Sequence, residues 1–189
     1  MNTLAGSLAI TIVLSCVALA VPQTKIILSP NSPKVFSIGM SREEMIATFG
    51  KPAAYFGTRT QRHIPADQSE AACSSELCRP IYTRKTKANE YEIVVTESPD
   101  VSQSRLHPTA RIRELRFHLD HEMKPADAIN DIDELRELCR GKCTFGDFYG
   151  LFTATAPDSN VRIMFLPGNP KTQVGQDTPI ASVSIAPVH

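Results

Sequence analysis

One short segment near the start of the chain combines helical spacing of apolar residues with residues that define both helix ends. Met45, Ile46 and Phe49 fall at i, i+1 and i+4 and predict a single apolar stripe on a helix. A helix of about two turns is not stable alone in water. We therefore expect this stripe to pack against a β-sheet.

The ends of this helix are marked by its capping residues. Ser41 and Glu44 form the S-x-x-E capping box, in which each side chain binds a backbone N–H group left free at the N-terminus. Gly50 favours the backbone conformation that ends a helix, and Pro52 prevents the helix from resuming. The pattern predicts a helix that lies between Ser41 and Gly50.

Alternation of apolar and polar residues, which is typical of half-buried strands, follows this helix. It is clearest in segment 111–120, where Leu115, Phe117 and Leu119 alternate with polar residues. Segment 59–89 shows no such period and is predicted to be a long insertion that carries function or hides a short element. The predicted strands are 53–58, 91–96, 111–120, 147–156, 161–166 and 180–186.

A second helix repeats the design of the first. Asp131 and Glu134 predict its cap, and Gly141 is expected to end it as Gly50 ends the first helix. A helical turn over 125–129 is expected to precede it. Its apolar face is formed by Ile132, Leu135, Leu138 and Cys139.

These elements predict an α+β fold. It is a mainly antiparallel β-sheet meander with short helices on one face, built from two helix-plus-three-strand pseudo-repeats. The first half, residues 21–122, contains the insertion 59–89, and the second half is residues 123–189. Chance similarity of two short capped helices is the alternative to a repeat.

The N-terminal segment, residues 1–20, is predicted to direct export. Residues 4–19 form an uncharged apolar run, and the motif ALA at 18–20 matches the pattern at which signal peptides are cleaved. The motif VLSC at 13–16 resembles a bacterial lipobox, in which case a lipid on Cys16 would tether the protein to a membrane. We expect a periplasmic or secreted protein. An outer-membrane-anchored lipoprotein and an uncleaved anchor are the alternatives.

Four cysteines follow this segment, Cys73, Cys78, Cys139 and Cys143. An even number suits an oxidising compartment, where they would form two disulfides in one of three possible pairings. We favour Cys73 with Cys78 and Cys139 with Cys143, because each pair closes a small local loop. No spacing is the C-x-x-C of a zinc knuckle, and we expect no metal or other cofactor.

Charge, composition and motifs disfavour several function classes. The chain carries 20 basic and 20 acidic residues, so it has no net field that would attract nucleic acid or an anionic membrane. Aromatic residues make up 6% and Trp is absent, which disfavours a base-stacking platform. No G-x-S-x-G, H-E-x-x-H, P-loop or dinucleotide-binding glycine motif is present. We therefore expect a binding protein rather than an enzyme.

The first helix also resembles part of a known family. The segments GMSREEM at 39–45 and FGKP at 49–52 are similar to the start of the SmpA/OmlA/BamE family, small envelope lipoproteins with a helical hairpin on a three-stranded antiparallel sheet. Two helix-plus-sheet halves with two disulfides also resemble the β-lactamase inhibitory proteins, which grip an enzyme with the concave face of a sheet. The resemblance implies an exported, non-catalytic domain that binds another envelope or secreted protein, as an outer-membrane assembly accessory or as an enzyme inhibitor.

A partner interface is expected on the insertion and on the exposed face of the 111–120 strand, because loops held by a rigid sheet often carry binding residues. The basic segment RPIYTRKTK at 79–87 could bind an acidic surface, although Lys and Arg also commonly protect exposed strand edges. The candidate contact residues are Arg59, Arg62, His63, Tyr82, Arg84, Arg116 and His118.

The alternative function is a small secreted hydrolase or a metal-dependent enzyme. His118 and Asp120 lie on one face of the 111–120 strand, at a spacing at which two metal ligands could meet. Further candidates for such a site are His63, His107, His121 and Glu122. The same residues could instead form the solvent-exposed face and end of a strand, with no metal-binding or catalytic role.

Overall fold

The computed structural model describes residues 34–74, 76–98, 110–140, 142–157 and 159–188. Within these residues the strands are β1 (Ala54–Gly57), β2 (Arg62–Pro65), β3 (Cys78–Lys85), β4 (Glu90–Ser98), β5 (Arg111–Met123), β6 (Thr144–Phe148), β7 (Leu151–Thr155), β8 (Val161–Leu166) and β9 (Ile180–Pro187). They form one sheet in the order β2-β1-β3-β4-β5-β9-β8-β7-β6, and each neighbouring pair is antiparallel.

The helices are short. They are α1 (Arg42–Phe49), α2 (Ser69–Ala72), α3 (Pro125–Asp131) and α4 (Asp133–Cys139), with a 3-10 turn at Ala66–Gln68. In the part of the chain that the structure describes, no helix is long and apolar enough to cross a membrane.

The predicted ends of α1 are confirmed. The Ser41 hydroxyl accepts a hydrogen bond from Glu44 N at 3.1 Å, and the Glu44 carboxylate accepts one from Ser41 N at 2.9 Å. Both halves of the capping box are thus formed. Gly50 ends the helix with φ +84° and donates its N–H to Ile46 O.

The main core lies between one face of the sheet and the helices α1, α3 and α4. Met45 of α1, Ala128 of α3 and Leu135 of α4 are each 0% exposed and belong to one apolar cluster. The predicted packing of both helical segments on a common β surface is therefore confirmed for Met45 and Leu135. Ile46 is 39% exposed, so its predicted place in the apolar stripe is wrong. The sheet contributes alternate residues, among them Tyr91, Ile93, Val95, Leu115, Phe117, Ile163, Phe165, Val183 and Ile185.

The second helical segment begins differently from its prediction. Asp131 is the last residue of α3, and Ile132 is the N-cap of α4, with no side-chain hydrogen bond at this cap. The predicted capping box of Asp131 and Glu134 is therefore wrong. Glu134 is instead 1% exposed and points into the protein, where it binds other partners.

The end of α4 is made by a left-handed residue. Arg140 is the C-cap, with φ 41° and ψ 37°, a conformation that is uncommon for a side chain other than Gly or Asn. Gly141, which was predicted to end this helix, lies outside the described residues.

Segment 59–89 is not an irregular insertion. It contains β2, the 3-10 turn, α2 and β3, and β3 lies inside the sheet between β1 and β4. Two features hid these strands from the sequence. β2 has four residues, and in β3 the adjacent residues Ile81 and Tyr82 are both buried, so the alternation of a half-buried strand is absent.

The strand predicted at 147–156 is in fact part of a hairpin. β6 and β7 are joined by a tight turn at Tyr149 and Gly150, which have φ 52° and 78°. The Asp147 carboxylate supports the turn by accepting a hydrogen bond from Gly150 N at 3.0 Å. A single predicted strand is therefore replaced by two.

The predicted fold class is wrong in its proportions of helix and strand and in its division into two pseudo-repeats. Strands account for 44% of the described residues and helices for 21%. The first part of the chain supplies five strands, β1 to β5, and the second supplies four, so the fold is not a pair of helix-plus-three-strand units. Because β5 pairs with β9, with Leu115 opposite Ile185, the result is one continuous antiparallel sheet with four short helices among the described residues.

The face of the sheet opposite the core carries polar residues beside a few apolar ones, such as Ile81 and Val94. Residues that are direct cross-strand partners point to the same face. The register places Arg116 between Val94 and Ser184, and it places Glu92 beside His118. The helical residues of both apolar clusters pack against strand residues of the core face. None of the described helices therefore covers the opposite face. We call it the uncovered face.

Candidate functional site

A groove of about 660 Å³ lies on the uncovered face between the β1–β2 hairpin and β5. Its lining includes two apolar side chains, Phe56 of β1 and Val94 of β4, and the other lining residues are polar or charged. The residues that line it are Phe56, Thr58, Gln61, His63, Arg79, Glu92, Val94, Thr96, Arg116 and His118. This volume lies within the range of pockets that hold small molecules or parts of a partner protein.

The groove exists because the β1–β2 hairpin curls over the sheet. Three strand spacings separate β2 from β4, which is about 14 Å in a flat sheet. His63 of β2 nevertheless places its Nε2 atom 3.7 Å from the carboxylate of Glu92 on β4. The ring of His63 also stands edge-on to Phe56, with the ring centroids 6.2 Å apart. The hairpin therefore forms a wall that faces β4 and β5.

Glu76 holds the turn of this hairpin in place. Its carboxylate accepts hydrogen bonds from Arg59 N at 2.9 Å, from Thr60 N at 3.0 Å and from the Thr60 hydroxyl at 2.8 Å. The bond from the Thr60 amide is the largest cause that lowers the pKa of Glu76, and the bonds from the Thr60 hydroxyl and Arg59 N–H add to it. Glu76 lies between the two cysteines of the Cys73–Cys78 disulfide, so this small loop positions one wall of the groove.

Glycine at position 57 is required by the same carboxylate. A Cβ atom at Gly57 would lie 2.6 Å from the Thr60 hydroxyl and 2.7 Å from both carboxylate oxygens of Glu76. Side-chain carbon atoms are not found this close to such groups. The absence of a side chain at Gly57 is what lets the Glu76 carboxylate reach the turn.

Two arginines, Arg79 and Arg116, and one glutamate, Glu92, line the groove. Arg116 Nη2 pairs with Glu114 at 3.0 Å, and Glu114 also accepts a hydrogen bond from Ser184 Oγ at 2.7 Å. Arg79 has no such ion pair among the described residues. The Nε atoms of Arg79 and Arg116 are buried and without a hydrogen-bond partner within the described part of the chain. Buried donors of this kind normally have a partner.

His118 is one of the titratable groups that line the groove. Its partial burial lowers its pKa, and the positive charge of Arg116 lowers it further, whereas the carboxylate of Glu92 raises it. The net shift is downward from 6.5, so the imidazole is mainly neutral at pH 7. An added negative charge in the groove would raise the pKa of His118.

Both predicted disulfides are confirmed. Cys73 is bonded to Cys78, and Cys139 is bonded to Cys143. The first belongs to a small apolar cluster with Tyr55 and Ile64, and the second joins the end of α4 to the start of β6. Two disulfides indicate an oxidising, exported location.

The structure brings together three of the seven predicted contact residues, His63, Arg116 and His118, which all line the groove. Arg59 and Arg62 are exposed on the β1–β2 hairpin, outside this lining. The other two, Tyr82 and Arg84, are cross-strand partners of Ile93 and Tyr91 and lie on the core side of the sheet. Cys16 and His107 lie outside the described residues.

Arg84 has a structural role on that side. Its Nη1 atom lies 2.8 Å from the carboxylate of Glu134, which also accepts a hydrogen bond from Phe36 N at 3.1 Å. Burial raises the pKa of Glu134, while Arg84 and the Phe36 amide favour its ionised form and oppose the rise. The hydroxyl of Tyr82 donates to Gly50 O at 3.3 Å, which ties β3 to the end of α1.

The residues of the enzyme alternative are only partly brought together, because His63 and His118 line the groove and His121 and Glu122 do not. His121 lies beside Glu122 in a separate open depression of about 460 Å³, next to α3. Its ring nitrogen is 3.2 Å from the Asp120 carboxylate, and both side chains are exposed. Among the described residues, no group of three or more His, Cys, Asp or Glu side chains could hold a metal ion.

The sequence reading did not single out Phe56, Arg79 and Glu92 as site residues. Arg79 falls within the basic segment at 79–87, and Glu92 falls within the predicted strand 91–96, so part of the signal was present. Their convergence depends on the curl of the β1–β2 hairpin, which no local pattern encodes.

Comparison with protein-family models, with curated proteins and with solved structures found no significant match for this chain.

Proposed function

We propose that this chain is an exported, non-catalytic domain that binds another envelope or secreted protein through its uncovered face. The groove on that face carries the proposal, because it gathers two arginines, two histidines and an aromatic ring at one place on a rigid sheet. Arginine and aromatic residues supply much of the binding energy at protein interfaces. The disulfides support the exported location.

The resemblance of the α1 segment to the SmpA/OmlA/BamE family agrees with this class of function. A partner in envelope assembly and an enzyme held by the concave face of the sheet are the two forms that the resemblance suggests. Contact with a membrane enters only if Cys16 carries a lipid. Nucleic acid is not expected, because acidic and basic residues balance at 20 each.

Substitutions in the groove test this proposal better than a deletion. Removing residues 61–84 would delete β2 and most of β3, which lies inside the sheet, so loss of binding would report unfolding. A double variant, Phe56→Ala with Arg116→Ala, removes an aromatic ring and a cation from the uncovered face. Glu43→Ala, at an exposed position of α1, is the control.

The mature protein would be crosslinked in the envelope or in culture medium, and each captured protein would then be purified and tested for direct binding. We expect wild type and Glu43→Ala to bind the same partner, and the double variant to lose most of that binding while its circular dichroism spectrum is unchanged. Equal binding by the folded double variant would overturn the proposal.

A further inference from the structure

Building on the function proposed above, we infer that the groove accepts an acidic segment of the partner protein, with an Asp or Glu carboxylate bound between Arg79 and His118. The inference starts from Arg79. Its guanidinium lines the groove, and it has no ion pair or hydrogen bond among the described residues. A guanidinium binds a planar carboxylate through two parallel N–H donors.

The charges around Arg79 favour an anion. Arg116 on β5 is partly neutralised by Glu114, and Glu92 on β4 contributes one negative charge. Against this stands the guanidinium of Arg79 on β3, and the imidazoles of His63 on β2 and His118 on β5 can each donate an N–H hydrogen bond to an anion. Both imidazoles lie near the Glu92 side chain. A carboxylate of the partner segment would contact the histidines in the same way as Glu92 does.

The size and lining of the groove favour a peptide segment over a bare anion. A volume of about 660 Å³ is far larger than one carboxylate or phosphate requires. Phe56 and Val94 offer apolar surface to the methylene groups of an acidic side chain. Thr58 and Gln61 donate to Leu77 O and Thr58 O, and their side-chain oxygens can still accept hydrogen bonds from a peptide backbone. A free phosphate or acetate ion would use only the cations.

The test uses the whole mature protein and three probes: a capped hexaglutamate peptide, a capped hexaglutamine peptide and inorganic phosphate. Binding is followed by calorimetry and by the NMR signals of the histidine rings. We expect hexaglutamate to bind, to shift the signals of His63 and His118, and to raise the pKa of His118. His121 lies in the other depression and should not respond.

Arg79→Gln is the test variant and Arg113→Gln is the charge-matched control at an exposed position of β5. Loss of one charge-assisted hydrogen bond predicts an affinity about tenfold weaker for Arg79→Gln. Arg113→Gln should bind as wild type does. The urea midpoint of each variant shows that it is folded.

Three outcomes of the probe experiments would overturn the inference: no binding of hexaglutamate, equal weakening by both variants, or equal responses to phosphate and hexaglutamate. The first two leave no acidic-segment site at Arg79, and the third assigns the site to small anions. A partner captured through the uncovered face could bind Arg79→Gln as tightly as it binds wild type. That result would contradict this inference, whereas the proposed function would still stand.

Discussion

At the scale of single residues, the shape of the candidate site depends on one carboxylate. Glu76 accepts three hydrogen bonds from Arg59 and Thr60, and these bonds fix the turn that forms a wall of the groove. They also favour the ionised form, which is why the pKa of Glu76 lies below its ordinary value of 4.5. A lowered folded-state pKa means that the carboxylate stabilises the fold above the unfolded-state pKa, and that this contribution is lost as the pH falls through the folded-state pKa.

Glu76→Gln is therefore expected to lower the urea midpoint at pH 7. An amide at this position keeps one acceptor oxygen for the two backbone N–H donors but loses the charge that strengthens these hydrogen bonds. The difference from wild type should shrink as the pH is lowered toward 3, because wild type then loses the same contribution. Urea unfolding at a series of pH values measures both effects. Glu70→Gln, at an exposed position of α2, is the control. Equal midpoints of Glu76→Gln and wild type at pH 7 would contradict this account.

Gly57 gives a second prediction at the same place. Gly57→Ala would push a methyl group against Thr60 and the Glu76 carboxylate, at 2.6 to 2.7 Å. We expect a loss of about 1–3 kcal/mol in the free energy of unfolding, as for other overpacked sites. Gly146→Ala on β6 is the matched control, because a Cβ atom there meets nothing within 4 Å. Similar midpoints for the two variants in urea would show that the turn adapts without cost.

At the scale of elements, α1 shows how two adjacent apolar residues can have different roles. Met45 is fully buried under the sheet, whereas Ile46 is 39% exposed. Met45→Ala should lower the free energy of unfolding by about 2–5 kcal/mol, because it leaves a cavity in the core. Ile46→Ala should change it by less than about 0.5 kcal/mol. Chemical denaturation of both variants measures this difference, and comparable losses would mean that the helix face is assigned wrongly.

Elements with strong local signals could be predicted from the sequence, and those without them could not. The caps at Ser41 and Gly50 define α1 because each acts within one turn of the chain. β5 and β8 were predicted because one of their faces is buried and the other is polar. In contrast, β3 is buried on both faces at Ile81 and Tyr82, and the two halves of the β6–β7 hairpin are too short to show a period.

Glu134 illustrates why the second helix was misread. A carboxylate three residues after an Asp matches a capping box, and sequence alone does not separate that use from burial beside a distant cation. The cation is Arg84, fifty residues away in the chain, and the third partner is the Phe36 amide. Contacts of this length depend on the assembled sheet and leave no local pattern.

At the scale of the whole molecule, the site depends on curvature more than on any motif. Alternation placed Arg116 and His118 on the polar face of β5, and this much of the groove could be predicted. The approach of His63 to Glu92 requires that β2, a strand the sequence did not reveal, fold over β4. The two halves also contribute unequal numbers of strands, so a repeat inferred from two similar helices could not describe the sheet.

The Arg84–Glu134 pair connects elements that are distant in the chain, and its removal gives a prediction for the whole fold. Arg84→Met leaves Glu134 buried without its cation, so the pKa of Glu134 should rise further above its unfolded-state value. A raised folded-state pKa means that stability is fully present below the unfolded-state pKa and is lost as the pH rises through the folded-state pKa. The variant should therefore lose stability relative to wild type as the pH rises above the unfolded-state pKa, reaching a deficit of about 3–5 kcal/mol.

A second substitution separates the charge from the other contacts of Arg84. The double variant Arg84→Met with Glu134→Gln still lacks the guanidinium, which also lies 5.7 Å from the ring centre of Phe36, but it has no buried carboxylate. We expect the double variant to be more stable than Arg84→Met at pH 8 and to show no such loss as the pH rises. If both variants lose the same stability at every pH, the ring contact and packing of Arg84 hold the elements together, and the ion pair does not. Because Arg84 and Glu134 lie on the core side of the sheet, neither variant alters the lining of the groove, so binding measured at pH 5 should be retained.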